Sequence, residues 1–200
     1  MKTRLLFIPA IALALTACCT NKQEAHEPAT MPAAMAHHGS MWESVNSAVA
    51  VLYPTKGNSA SGTLTFTTNP GGGAGGVHIH GTITGLDPNS IHAFHIHEFG
   101  DASAPDGMSA GGHYNPEHHM HGGPNSPEHH AGDLGNITAD SSGTATIDID
   151  APDLSIAGLK DPIIGRSVVL HAHPDDFVSQ PAGNAGPRIA VGIIGIAKSK

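Results

Sequence analysis

After residue 19 the chain contains no cysteine, so nothing in residues 20–200 can be crosslinked through sulfur. Aromatic residues make up only 4% and charged residues 13% of the 200 positions. Basic side chains are scarce: 9 Lys and Arg stand against 17 Asp and Glu, a formal charge of −8 that argues against nucleic acid as a partner. Periodic runs of Leu, Glu, Lys and Ala are missing, which disfavours a helical bundle. No apolar run is long enough to span a bilayer as a helix. What the chain has in excess is Gly (25), Pro (15) and, above all, His (16). The first two suit a loop-rich β protein with many tight turns. The third supplies imidazoles, which titrate near neutral pH and are the commonest metal donors.

The first residues read as an export signal. Lys2 and Arg4 precede an apolar run over residues 5–15, the length of a secretory core segment. The run ends in Leu15-Thr16-Ala17-Cys18, which resembles the lipobox of bacterial lipoproteins. The resemblance implies cleavage before Cys18 and lipidation of its thiol. Ordinary signal cleavage beside two incidental cysteines is the competing reading. Without Lys2 and Arg4 the charge would be about −10. Residue 19 is not aspartate, which by the bacterial sorting rule permits outer-membrane delivery in a Gram-negative cell. The expected organisation is a signal peptide over 1–17, a lipidated cysteine and flexible tether over 18–45, and one domain over 46–200. The tether carries His26, Met31, Met35, His37, His38 and Met41, donors suited to copper. No fixed spacing constrains them, so a low-complexity linker is the simpler reading.

Beyond the tether, short strand-like runs alternate with turn clusters. Residues 48–53 are apolar and β-prone; GTLTFTT (62–68) and VHIHGTIT (77–84) alternate; 91–99, 144–150, 167–171 and 189–197 complete the set. Residues 100–133 carry no strand pattern, and a loop that long in a compact domain is usually functional. About eight short strands with one long loop predict an antiparallel sandwich or Greek-key barrel.

Seven potential ligands lie in order along this frame: His95, His97, His113, His121, His130, Asp133 and His171. His95 and His97 are two apart on a strand and so share a face, able to hold one metal together. His78 and His80 have the same spacing and read as a solvent-facing strand surface. What distinguishes His95 and His97 is the company of His171, at the end of the apolar run VVLH, and of the donor-rich loop. Three or four neutral imidazoles suit Cu(II). His121, His130 and Asp133, with His113, offer three nitrogens and one oxygen, the composition of a closed zinc site. Binding both metals would make His113 a bridging imidazolate. His118, His119 and His129 are read as solvated loop histidines.

The text HAFHIHEFGD, SAGGHYNP, HGGP, HHAGDLGNITAD and GNAGPRIAVGIIGIA resembles the copper–zinc superoxide dismutases of the bacterial periplasmic type, over about residues 47–200. The resemblance implies an all-β fold, an eight-stranded antiparallel Greek-key β-barrel with long metal-binding and electrostatic loops. It implies copper on His95, His97, His113 and His171, and zinc on His113, His121, His130 and Asp133. It further implies that Asp175 links His95 to His121, that Arg188 stands beside the open copper face, and that His92 ties backbone segments together. The implied enzyme converts superoxide to oxygen and hydrogen peroxide by Cu(II)/Cu(I) cycling, with Arg188 and His113 catalytic, and protects the cell envelope. Lys160 and Arg166 are further candidates for a positive funnel toward the anion. The expected location is the periplasm or envelope, with a lipid anchor to the membrane; monomer or homodimer stays open.

One family feature is missing. Most members carry an intrachain disulfide from the loop after HEFGD to the last strand. Here those positions hold Ala102 (Gly107 under the eukaryotic spacing) and Val191. Losing such a crosslink costs about 2–5 kcal/mol in small secreted domains, so the fold is expected to lean on zinc, with a looser loop over 101–112 when metal is absent. The competing functional reading is a non-enzymatic copper- or zinc-binding envelope lipoprotein that buffers metal. A zinc-only adhesive module is a weaker rival, because it would not need His95, His97 and His171 together.

Overall fold

The computed structural model describes residues 45–69, 76–158 and 160–198. The signal-like run, Cys18 and the His- and Met-bearing tether lie outside the described residues. The described chain is built from strands: β1 (Ser47–Pro54), β2 (Ser61–Thr68), β3 (Val77–Thr84), β4 (Ile91–His97), β5 (Asp133–Thr138), β6 (Ala145–Ala151), β7 (Ser167–His171), β8 (Arg188–Ile193) and the short β9 (Gly195–Ile196). A single 3₁₀ turn, Met108–Ala110, interrupts the long loop between β4 and β5.

Every named strand pair is antiparallel, in the order β5-β4-β7-β8-β1-β2-β3-β6, with β9 on β1. The terminal strands β5 and β6 lie against each other, so the sheet curls into a nearly closed eight-stranded barrel. β1 closes one seam by changing partners. Its first six residues pair with β2, and Tyr53 and Pro54 pair with β8.

Alternation sets the inward face. Ala48, Ala50 and Leu52 of β1, Leu64 and Phe66 of β2, and Ile79 and Ile83 of β3 are buried while their neighbours face outward. Each large side chain buried this way contributes about 1.5–3 kcal/mol. β4 breaks the alternation, since His92 through His97 are all buried. Phe94 and Ile96 join the core on one face. His95 and His97 lie on the other, and the loops covering that face are what bury them.

The expected last strand, 189–197, is two strands. Ile194 turns into the core at 1% exposure, and its N–H donates to Arg166 O. β8 before it pairs with β7, and β9 after it pairs with β1. The change of partner at a buried residue is invisible to an alternation pattern.

Candidate metal centre

Strand register brings the ligands together. His95 lies opposite Asp133, just past a bulge after Ala93. An isolated bridge pairs His97 with His113. His171 ends β7 opposite Arg188, beside another irregularity in register. Bulges of this kind re-aim side chains at the rim of a sheet. The seven side chains form two sets: His95, His97, His113 and His171, and His113, His121, His130 and Asp133. Within each set one donor atom per residue lies within 4.8 Å of the others.

Hydrogen bonding decides which nitrogen each ring has to spare. His97 Nδ1 donates to Gly111 O (3.0 Å) and His171 Nδ1 to Gly186 O (3.1 Å), which leaves their Nε2 atoms facing each other at 3.2 Å. His95 Nε2 lies 2.8 Å from Asp175 Oδ2, leaving Nδ1. His113 Nδ1 lies 2.7 Å from Asp133 Oδ1, a fellow donor of the second set, and its Nε2 is buried without a partner. His121 Nε2 lies 2.9 Å from Asp175 Oδ1, leaving Nδ1, which is 3.0 Å from Asp133 Oδ2. Outer partners of this kind fix both the tautomer and the ring plane of a ligating histidine.

The donor sets fit a borderline cation such as Cu(II) or Zn(II). Two buried ring nitrogens, His95 Nδ1 and His113 Nε2, have no hydrogen-bond partner among the described residues, and His121 Nδ1, though 3.0 Å from Asp133 Oδ2, is not aligned to make one. Leaving such an atom unsatisfied costs about 1–3 kcal/mol, and a metal ion at each would satisfy it. Burial, together with the neighbouring charges of His113, His171 and Arg188, holds His97 well below the usual imidazole range. Burial also pushes His113 down to about 4 and His171 to about 3. These rings are therefore neutral at pH 7, with lone pairs free to ligate. Burial alone would raise Asp133, but His113, His121 and His130 outweigh it and hold the carboxylate far below its ordinary range. His121 behaves oppositely: burial lowers it, and the carboxylates of Asp133 and Asp175 on either side raise it to about 9. Without metal, a proton on His121 takes the place of the cation.

The remaining expected residues fall into place around the two sets. Asp175 spans them through His95 and His121, and the pull of these two rings outweighs burial to keep it ionised. His92 is buried, with Nδ1 2.8 Å from His171 O and Nε2 2.7 Å from Ser90 Oγ, so it pins the end of β7 without joining either set. Arg188 donates from Nη1 to Gly107 O (2.6 Å) and from Nη2 to Gly111 O (2.5 Å). It lines a cavity of about 470 Å³ with His97, His113, His171 and Met108. Lys160 is elsewhere, paired with Asp153 and Asp161. Arg166 lies over the Tyr114 ring at 3.5 Å and donates to Glu98 O, also off that cavity. His118, His119 and His129 belong to neither set.

Three more residues take part in the site without any signal in the sequence. Asn136 brackets Asp175, accepting from its N–H (2.7 Å) and donating to its C=O (2.9 Å). Gln180 does the same for the His121 backbone, at 2.8 Å on each side. Gly183, at φ 62, lies so close to Asp175 that an added Cβ would collide with its Oδ1. Asn136 lies within the run GDLGN, but its partner is 39 residues away, and no local spacing signals that contact.

The positions of the missing disulfide are also fixed. Gly107 lies against Val191, where an added Cβ would stand 2.8 Å from Val191 Cγ2, so the eukaryotic-type spacing is the one that meets β8. In place of the crosslink a small cluster of Ala110, Val169 and Val191, the two Arg188 hydrogen bonds and the backbone bonds Glu98 N–H to Gly112 O and Phe99 N–H to Ala110 O hold the loop.

An antiparallel barrel carrying two sets of potential metal ligands that share one histidine narrows the class of protein. The family model for copper/zinc superoxide dismutase matches residues 60–194. The chain belongs to that family. A solved crystal structure described as the clock protein EA4 is 42% identical and aligns with a TM-score of 0.70, covering 80% of this chain and 99% of its own.

Proposed function

We propose that this protein is an active superoxide dismutase, converting superoxide to oxygen and hydrogen peroxide. The observation that carries the reading is His113, which offers Nε2 to one buried donor set and Nδ1 to the other, beside a cavity lined by Arg188. A protein that only stores metal needs neither feature. On this reading His95, His97, His113 and His171 hold copper, and His113, His121, His130 and Asp133 hold zinc. Copper would supply a one-electron couple and zinc a fixed charge beside His113. Arg188 would draw the substrate anion in, its guanidinium held at the cavity by the Gly107 and Gly111 carbonyls. His113 Nε2, when not ligating, would carry the proton passed to the reduced product. Asp175 would keep the His95 and His121 rings in plane, and the covering loops would limit water around them.

Metal analysis with a superoxide assay separates this from metal buffering. At least one copper and one zinc per chain with fast turnover supports the enzyme, and metal without turnover supports the buffer. His113→Ala should make the copper optical and EPR signals indifferent to whether zinc is bound; copper spectra that still respond to zinc, with unchanged activity, would refute the bridge. Export and anchoring through Cys18 belong to the same proposal. Labelled palmitate should enter the wild-type chain in a bacterial host and not Cys18→Ala; equal labelling would count against the anchor.

A further inference from the structure

We infer that the outer face of β3 and β6 carries a second, independent binding site for a borderline divalent transition metal such as Zn(II), formed by His78, His80, Asp148 and Asp150. The register sets these four residues in a rectangle. His78 lies directly opposite Asp150, and His80 directly opposite Asp148. Opposed Cβ atoms across an antiparallel pair are about 5 Å apart, and i, i+2 neighbours on one face about 7 Å. All four point outward, because Val77, Ile79, Ile147 and Ala151 between and beside them are buried.

The side chains are already drawn together. The His78 and His80 rings stack with centroids 5.3 Å apart and planes 25° from parallel. His78 Nδ1 is 3.0 Å from Asp150 Oδ1, and its Nε2 is 3.5 Å from Asp148 Oδ1. One imidazole therefore sits between two carboxylates, as a cation would. Hydrogen bonds from His78 and Asn69 hold the Asp150 carboxyl below its ordinary range. Among the described residues no lysine or arginine pairs with either carboxylate. Two imidazole nitrogens and two carboxylate oxygens make a donor set suited to Zn(II) or Cu(II), and poorly suited to Ca(II) or Mg(II). The four donors are not gathered as tightly as those of the two buried sets; Asp148 and Asp150 are 78% and 69% exposed and would turn about χ1 and χ2 to reach one ion.

The site is distinct from the candidate metal centre. It stands on the β1-β2-β3-β6 side of the barrel, whereas His95, His97 and His171 stand on β4 and β7. Neither proposed metal set uses any of its residues, so zinc uptake there is separable from dismutase activity.

The test compares the full chain with His78→Gln/His80→Gln, both first loaded until the buried centre is saturated. Equilibrium dialysis against micromolar Zn(II) should then give one fewer bound zinc in the double variant. The comparison cancels any zinc on other exposed histidines. In the wild type, substoichiometric Zn(II) should shift the His78 and His80 ring-proton resonances before those of His118, His119 or His129. Asp148→Asn/Asp150→Asn should weaken the zinc uptake about tenfold or more while leaving the barrel intact by circular dichroism. Equal zinc stoichiometry in wild type and the histidine double variant would overturn the inference, as would unmoved His78 and His80 resonances.

Discussion

Replacing Gly107 and Val191 together by cysteine should join the long loop to β8 and stabilise the metal-free protein. A Cβ added at Gly107 would lie 2.8 Å from Val191 Cγ2, the place a cysteine sulfur would occupy. In an unstrained disulfide a Cβ lies about 3 Å from its partner's sulfur, so the bond needs little movement. Closing a loop of about 84 residues restricts the unfolded chain by about 4.5 kcal/mol. Two costs oppose this. Gly107 has φ 76, where a residue with a Cβ is strained by about 1 kcal/mol. Trimming the buried Val191 removes apolar contacts worth about 1 kcal/mol. The net gain is about 2.5 kcal/mol, or about 5–10 °C in Tm for a domain of this size. The assay is calorimetry of metal-free protein, oxidised and reduced, with free thiols titrated and the link located by peptide mapping. The oxidised variant should melt above both its reduced form and the wild type. Cysteines that stay unlinked, or a linked protein that melts no higher than its reduced form, would refute the placement and the loop-entropy argument together.

Three further outcomes are expected. Because a small apolar cluster, the Arg188 hydrogen bonds and backbone bonds from Lys56, Glu98 and Phe99 hold the loop around residues 101–112 in place of a crosslink, zinc loading should raise Tm sharply and protect that loop from proteases; a metal-free protein with an equally protected loop would count against this. Gly183→Ala should push Asp175 off His95 and His121 and weaken zinc binding about 10–100-fold, measured by competition with a chelator, with the barrel's circular dichroism unchanged; wild-type affinity would show that Asp175 tolerates the displacement. The metal-free protein should be most stable near pH 6.5, the ordinary imidazole value. His121, raised to about 9, stabilises the fold below that value and loses this as pH climbs toward 9; His113 and His171, lowered to about 4 and 3, stabilise it above that value and lose this as pH falls. A melt series whose Tm rises steadily from pH 6.5 to 9 would contradict the assignment of His121.

The sequence makes some of these features readable and hides others for physical reasons. The two-residue step puts His95 and His97 on one face, and the fold keeps them there. The same step puts His78 and His80 on one face as well. What separates the pairs is the loop cover over β4, a tertiary fact the strand text does not contain. Ala102 and Gly107 are equally open as the disulfide position in the sequence, because the loop has no periodicity to count along; the contact with Val191 decides between them. Asn136, Gln180 and Gly183 act through backbone contacts or through having no side chain, and neither leaves a pattern in composition. Ile194 hides a strand break because its burial satisfies the same alternation that a continuous strand would.

Asp175 has a consequence for how the two ligand sets fill. One carboxylate orients a ring in each, so an ion that locks His121 also fixes the hinge on which His95 turns. On the proposed reading, entry of either metal prepays part of the ordering cost of the other, and linkage makes that advantage equal in both directions. Loading would then be cooperative, with half-filled molecules rarer than independent sites would give. Cutting the carboxylate with Asp175→Ala would flatten the loading curve, leaving only the coupling that passes through the shared His113.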